Sequence, residues 1–419
     1  MNSRKTATFA DAEKEMRPTA FSTMLKSAGS TCNLDCSYCY YLDKAVQYGG
    51  AESVMSEALL EEYVRQYITA NETDTVTFCW HGGEPLLSGL DFYRRAMELQ
   101  KRYAQGKRIE NSIQTNAILI NDEWCRFFRD NGFLVGVSLD GPEDIHDAFR
   151  VDKGGRPTWR RVMAAVEKLA SFGVEFNTLS VVNKLSEGRG AEVYGFFKSI
   201  GSRYMQFLPA VEHVADRPDY HRPVIVPPDA EGARLAPWSV GAKAYGEFLN
   251  DIFDRWVVSD VGSYFVQMFD ATLAQYCGVQ PGVCSMGETC GDALVVEHNG
   301  DVYNCDHFVY PEYLLGNITE RSLSDIYNSP ERFRFGLAKR NSLPPDCLRC
   351  KFYFACRGEC PKHRFDRGAD GSPKNSLCEG LLLYFRHTAP YMEYMRDLLA
   401  ARRSPAFVMP WARNRMGLM

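Results

Sequence analysis

FSTMLKSAGSTCNLDCSYCYYLDK, residues 21–44, places three cysteines directly after a short apolar run. FSTMLKS (21–27) reads as a β-strand, because its apolar residues form a short run with no helical period. Cys32, Cys36 and Cys39 follow in a C-x3-C-x2-C spacing, so they share the loop after that strand. Three thiolates converging in one loop can hold three irons of a [4Fe–4S] cluster. The fourth iron then keeps an open position, as catalytic metal centres do. A zinc site short of one ligand is the other reading that this spacing allows.

Outward from this loop, strands alternate with helices. A helix spans Ser56 to Ala70, with Ser56 as its N-cap and Leu59, Leu60, Tyr63, Val64 and Tyr67 at helical spacing. Strands follow at 75–83, 108–116, 133–141, 175–183 and 203–209, with helices at 91–104, 122–131, 158–172 and 190–199. Such alternation predicts a parallel sheet covered by helices, and six units suit an open, partial (β/α)6 barrel. Polar and glycine-rich segments recur at the strand ends: His81-Gly82-Gly83-Glu84-Pro85, Gln114-Thr115-Asn116, Ser138-Leu139-Asp140-Gly141 and Gln206-Phe207-Leu208-Pro209. In parallel α/β barrels that edge carries the site.

The chain has 419 residues, 45% hydrophobic and 24% charged, with a formal net charge of -5. These values fit a multi-domain globular protein and exclude a disordered one. The mild acidity argues against nucleic acid as a partner. No apolar run is long enough to span a bilayer, and the N-terminus carries no apolar signal segment. The 14 cysteines are therefore not expected to form disulfides, and the clustered ones are expected to bind metal, in a cytoplasmic protein. Cys79, Cys125 and Cys277 stand apart from the clusters and are assigned structural roles.

Eight cysteines lie beyond residue 280: Cys284, Cys290, Cys305, Cys347, Cys350, Cys356, Cys360 and Cys378. Eight thiolates suit two complete four-ligand sites. Spacing alone leaves open which four belong together, and whether zinc or iron is bound. DALVVEHNGDVYNCD (292–306) predicts a hairpin turning at Asn299-Gly300. Residues 212–237, rich in proline, read as a linker or loop, 242–257 as a helix, and 379–400 as a closing helix.

The triplet after the first strand, with Gly82-Gly83-Glu84-Pro85 after the second, resembles the radical S-adenosylmethionine (SAM) enzymes. The resemblance implies that Cys32, Cys36 and Cys39 hold the open cluster. It also implies that Gly82, Gly83 and Glu84 contact the SAM amino group, with backbone groups of Tyr38 and Leu208 at the adenine. Ser138 and Arg150 would serve the carboxylate and ribose side. The later cysteines are similar to the SPASM extension of peptide-modifying members. That likeness implies two auxiliary [4Fe–4S] clusters, one on Cys284, Cys290, Cys305 and Cys360, the other on Cys347, Cys350, Cys356 and Cys378.

Nearly the whole chain resembles the anaerobic sulfatase-maturating enzymes, through CNLDCSYCYYLDK (32–44), GGEP, QTN (114–116), SLDGP (138–142), IHD-x2-R (145–150), G-x-C-x5-C (282–290) and Tyr303-Asn304-Cys305-Asp306-His307. Those enzymes oxidise a Cys or Ser of a C/S-x-P-x-R motif to Cα-formylglycine, cleaving SAM to methionine and 5′-deoxyadenosine. The resemblance implies Asp306 as proton acceptor, and Tyr41 and His81 as substrate contacts. It further implies three [4Fe–4S] clusters, SAM, a nascent sulfatase peptide as substrate, and a flavodoxin- or ferredoxin-like reductant serving a monomer. The domains expected are a lead-in (1–18), the partial barrel (19–237), a helical linker (238–279), a SPASM-type domain (280–378), and a closing helix with a tail (379–419). A maturase forming thioether or carbon–carbon crosslinks is the alternative within the family. The short stretch before Cys32 leaves no room for the N-terminal peptide-recognition domain many of those carry. A non-enzymatic iron–sulfur or zinc protein is the remaining alternative, and it gives GGEP no purpose.

Overall fold

The computed structural model describes residues 19–45, 47–48, 54–217, 223–226 and 230–418, so the expected lead-in 1–18 lies outside the described residues. Six parallel strands form where the apolar runs predict them. They are β1 (Ser22–Lys26), β2 (Thr75–His81), β3 (Arg108–Thr115), β4 (Phe133–Ser138), β5 (Phe176–Val182) and β6 (Tyr204–Pro209). They lie side by side in the order β6-β5-β4-β3-β2-β1. Helices Glu57–Ala70, Leu90–Tyr103, Asp122–Asp130, Trp159–Ser171 and Gly190–Ser199 form the connections. Ser56 caps the first of these, its side chain accepting from the Leu59 amide at 3.3 Å, a contact worth about 1 kcal/mol.

The segment read as a proline-rich loop is more ordered than its composition suggests. It carries β7 (His213–Ala215), β8 (Val224–Val226) and β9 (Arg234–Leu235), an antiparallel sheet in the order β8-β7-β9. Strands this short have no readable period. Their stability comes from a separate apolar cluster that joins Val214, Ala236 and Trp238 to Leu34, Cys36 and Tyr38 of the triplet loop. This small sheet thus roofs the loop that carries the first cysteines.

The barrel does not close on itself. At one edge β6 takes β10 (Phe265–Val266). At the other, β1 pairs in parallel with β11 (Ala293–Glu297), the first strand of the predicted hairpin. The hairpin continues through Gly300, whose φ of +91° suits a residue without Cβ, into β12 (Asp301–Tyr303) and then β13 (Leu314–Asn317). The result is one ten-stranded sheet shared by the barrel and the cysteine-rich region. Lys26 is thereby in register with His81 on one side and Glu297 on the other.

The segment expected as a helical linker contains helices Ala242–Ser259 and Gln267–Tyr276. The first lies between Gly190–Ser199 of the barrel and the closing helix Cys378–Ala400, packing on both. The closing helix comes so near that a Cβ on Gly380 would meet the Ala242 carbonyl at 1.8 Å. The basic tail ends in a further helix, Val408–Arg415, whose Trp411 ring stacks on Tyr394. Among the described residues no helix is long and apolar enough to cross a membrane.

Candidate active site

The C-terminal ends of β1 to β6 face the triplet loop. GGEP reaches that loop through the backbone: Gly83 N donates to Gly29 O at 2.8 Å, and Glu84 N donates to Thr31 O at 2.8 Å. A Cβ on Gly83 would sit 2.2 Å from Thr31 O. The second glycine is therefore required by the approach of two protein backbones, whatever it also does for a ligand.

Glu84 is completely buried. Its carboxylate accepts from Leu86 N at 2.9 Å, Thr115 Oγ1 at 2.7 Å and Asn116 N at 2.8 Å. The QTN motif thus ties β3 to GGEP, and Gln114 completes it by donating to Ser138 Oγ at 2.9 Å. Burial pushes the Glu84 carboxyl up to about 7, against the lowering effect of its three donors.

Asp140 of SLDGP, to which sequence reading gave no role, is a hub. It is buried, takes the Tyr38 hydroxyl, accepts from Val181 N at 3.0 Å, and pairs with Arg150 at 3.1 Å. Arg150 is 7% exposed, so it is no surface charge, and its Nε has no acceptor. Ser138 ends β4 beside this group, and Leu208 on β6 holds its backbone against Val181 while its side chain is exposed.

A second set of groups meets at the junction of β1, β2 and β11. Lys26 is fully buried. Its ammonium lies 2.5 Å from Asp306 Oδ1 and 3.2 Å from His81 Nδ1, above the Tyr41 ring. Asp306 follows Cys305 just beyond β12 and also takes the Tyr40 hydroxyl. Burial, the largest single influence, would raise the Asp306 carboxyl, but the neighbouring cationic groups, Lys26 foremost, together outweigh it and hold the group below the usual carboxylate range. Oδ1 thus carries the Lys26 contact and the other carboxylate oxygen the Tyr40 hydroxyl. His81 is pushed down to about 4 by burial and then by Lys26, so it is neutral at pH 7.

Tyr41 turns away from this acceptor and gives its hydroxyl to Glu297. The tyrosine that reaches Asp306 is Tyr40, directly after the last cysteine of the triplet. Sequence reading passed over both Tyr40 and Lys26. A lysine in an apolar strand looks like a strand-end surface residue until its distant partner is known.

The sulfurs fall into three neighbourhoods. Cys32, Cys36 and Cys39 face one another. Cys284, Cys290, Cys305 and Cys360 form a second set, and Cys347, Cys350, Cys356 and Cys378 a third. The third set lines a cavity of about 510 Å³. Among the described residues no three His, Cys, Asp or Glu side chains converge on one point tightly enough for a single ion. A cubane cluster spreads its ligands wider than one ion does. Cys79 lies in β2 and Cys125 within Asp122–Asp130, while Cys277 follows Gln267–Tyr276.

Residues 27–194 match the radical SAM superfamily, and 284–351 match an iron–sulfur cluster-binding domain called SPASM. A serine-type anaerobic sulfatase-maturating enzyme of Bacteroides thetaiotaomicron is 49% identical over 92% of this chain and 94% of its own. A cysteine-type counterpart from Clostridium novyi is 34% identical over 92% of this chain and 99% of its own. A solved structure of native anSMEcpe with bound AdoMet and Cp18Cys peptide superposes with a TM-score of 0.79 at 29% identity, over 90% of this chain and 99% of that one.

Proposed function

The chain belongs to the anaerobic sulfatase-maturating enzymes of the radical SAM superfamily, and on that premise we propose that it oxidises one Ser or Cys of an unfolded sulfatase segment to Cα-formylglycine. The target motif is C/S-x-P-x-R. Serine is the first residue to test, because the 49% identical relative is named serine-type. The chain works as a cytoplasmic monomer with a flavodoxin- or ferredoxin-like reductant.

The residues present fit the groups this reaction needs. Three thiolates in one loop leave an open iron position, and two sets of four complete their own clusters. The buried, acceptor-less Nε of Arg150 suits a carboxylate such as that of SAM. Cys32, Cys36 and Cys39 would hold the open cluster. Cys284, Cys290, Cys305 and Cys360 would hold the first auxiliary cluster, and Cys347, Cys350, Cys356 and Cys378 the second. When bound, the three [4Fe–4S] clusters and SAM supply the one-electron chemistry: removal of a hydrogen atom from the target Cβ and acceptance of the second electron.

The protein's own part is binding, orientation and proton transfer. Gly82, Gly83 and Glu84 face the SAM amino group, Ser138 and Arg150 its ribose and carboxylate, and backbone groups of Tyr38 and Leu208 flank its adenine. Asp306 accepts the hydroxyl or thiol proton of the target on its carboxylate. Lys26 and Tyr40 fix that carboxylate, His81 lies beside them, and the Tyr41 ring supports Lys26 from below. The observation that carries this reading is Asp306, a carboxylate held at the strand-end edge by Lys26 and Tyr40 directly after the cluster cysteine Cys305.

Two matched peptides test it, one with S-x-P-x-R and one with C-x-P-x-R, under anaerobic conditions with SAM and a strong reductant. Aldehyde in the serine peptide, with matching 5′-deoxyadenosine, is the expected result. 5′-Deoxyadenosine without any change in either peptide would overturn the sulfatase reading.

A further inference from the structure

Two buried cations, Lys339 and Arg364, lie beside the later cysteines. Lys339 lies on helix Pro330–Asn341 and is 1% exposed. Its ammonium donates to the carbonyls of Cys284 at 2.7 Å, Ser285 at 2.7 Å and Gly287 at 2.5 Å. Those contacts use all three of its protons. The helix is pressed onto the same loop. Cys290 N donates to Gly336 O at 3.2 Å, and a Cβ on Gly336 would meet Cys290 O at 2.4 Å. The charge of Lys339 therefore faces the sulfurs of Cys290, Cys360 and Cys284, all in one set.

Arg364 is tied to this unit. Its Nη1 donates to Lys339 O at 2.6 Å and to Ser342 Oγ at 3.0 Å, and its Nε donates to Gly358 O at 3.4 Å. Gly358 lines the cavity of the third set with Cys347, Cys350, Cys356 and Cys378, so the Arg364 charge bears on that set as well as on Cys290 and Cys360. Among the described residues neither cation has a carboxylate ion pair. Glu359, whose charge reaches both, spends its carboxylate on His363 at 2.9 Å and Asn375 at 2.6 Å. A buried cation without a counter-charge is costly. Here the counter-charges within reach are Glu359 and the cysteine thiolates.

We propose that Lys339 and Arg364 are positioning residues that set the reduction potentials of the two auxiliary clusters, Lys339 acting on one and Arg364 on both. Adding an electron to a four-thiolate cluster adds negative charge, so a fixed buried cation beside it favours the reduced form. The inference rests on the proposed assignment of both sets as iron–sulfur clusters.

Lys339→Met and Arg364→Gln test it in the reconstituted full chain, beside the charge-keeping Lys339→Arg and Arg364→Lys. Iron and sulfide content are measured first, then midpoint potentials by redox titration followed by electron paramagnetic resonance. Lys339→Met is expected to move one auxiliary midpoint to a more negative potential, and Arg364→Gln to move both. The charge-keeping variants stay near the wild type. Unchanged midpoints in the neutral variants overturn the proposal, as does Arg364→Gln moving one midpoint alone. If a neutral variant loses iron, its charge-keeping partner decides: iron and midpoints retained there support a role for charge, and iron lost there too overturns it. A wild-type chain whose later cysteines hold zinc would instead refute the cluster assignment, and metal analysis shows that before any variant is compared.

Discussion

Lys26, fully buried, and Asp306, 15% exposed, form an ion pair 2.5 Å apart between the first strand of the barrel and the turn after the hairpin of the cysteine-rich region. The pairing of β1 with β11 brings them together. The same contact therefore joins the two halves of the molecule and holds the proposed proton acceptor in place. Removing one partner of such a pair leaves a buried charge alone, at a cost of roughly 3–5 kcal/mol. Lys26→Met is expected to lower the unfolding midpoint and to abolish peptide oxidation, with Lys26→Arg less affected in stability. Thermal unfolding of both variants checks this. An unfolding midpoint in Lys26→Met equal to that of the wild type would show that the pair carries no such weight.

Asp306→Asn removes the proton acceptor and also the counter-charge of buried Lys26, so a lower unfolding midpoint is expected alongside the chemical defect. The amide can still receive the Tyr40 hydroxyl, but it cannot take a proton from the substrate. Iron content and SAM cleavage are expected to persist. Peptide oxidation is expected to fall by about 10²-fold or more, the usual scale for loss of a general base. Parallel chromatography of 5′-deoxyadenosine and mass analysis of the peptide measure the two yields. Oxidation at the wild-type rate would remove Asp306 from the mechanism.

Gly83→Ala tests the contact between GGEP and the triplet loop. The added methyl would meet Thr31 O at 2.2 Å, and that carbonyl is backbone, not a flexible side-chain end. The loop leading to Cys32 must then shift. Lower iron retention and weaker SAM binding are expected together, whereas Gly89→Ala, with nothing within 4 Å of its Cβ, strains only its own φ of +81°. Iron assay and equilibrium binding of SAM distinguish the two. Full iron and unaltered SAM affinity in Gly83→Ala would show that the loop absorbs the methyl.

Much of this architecture is legible in the sequence, because strand and helix periods and the strand-end motifs are local signals. The six barrel strands and the Asn299-Gly300 hairpin follow from them. What the sequence hides depends on distant partners. Lys26 needs Asp306 to explain its burial. The two- and three-residue strands β7 to β9 need Leu34 and Tyr38 beneath them. Cys360 lies four residues after Cys356, yet its sulfur joins Cys305 and Cys284. Resemblance to a family suggested that grouping, and spacing alone would not.

Glu84 gives a pH dependence whose sign is fixed. Its carboxyl is ordinarily near 4.5 and is pushed up to about 7 by burial. Between those values the unfolded chain has released the proton and the folded chain retains it, so stability falls as pH rises through that window. Above about 7 the contribution is constant. Unfolding midpoints measured across this range should decline less in Glu84→Gln than in the wild type. Parallel curves for the two would mean that Glu84 is ionised throughout.

The central claim is that this site removes a hydrogen atom from the Cβ of a peptide side chain. A peptide carrying S-x-P-x-R with both serine Cβ hydrogens replaced by deuterium tests that claim most directly. The account predicts deuterium in the 5′-deoxyadenosine, accumulating with the aldehyde. 5′-Deoxyadenosine free of deuterium, formed while the aldehyde appears, would contradict it.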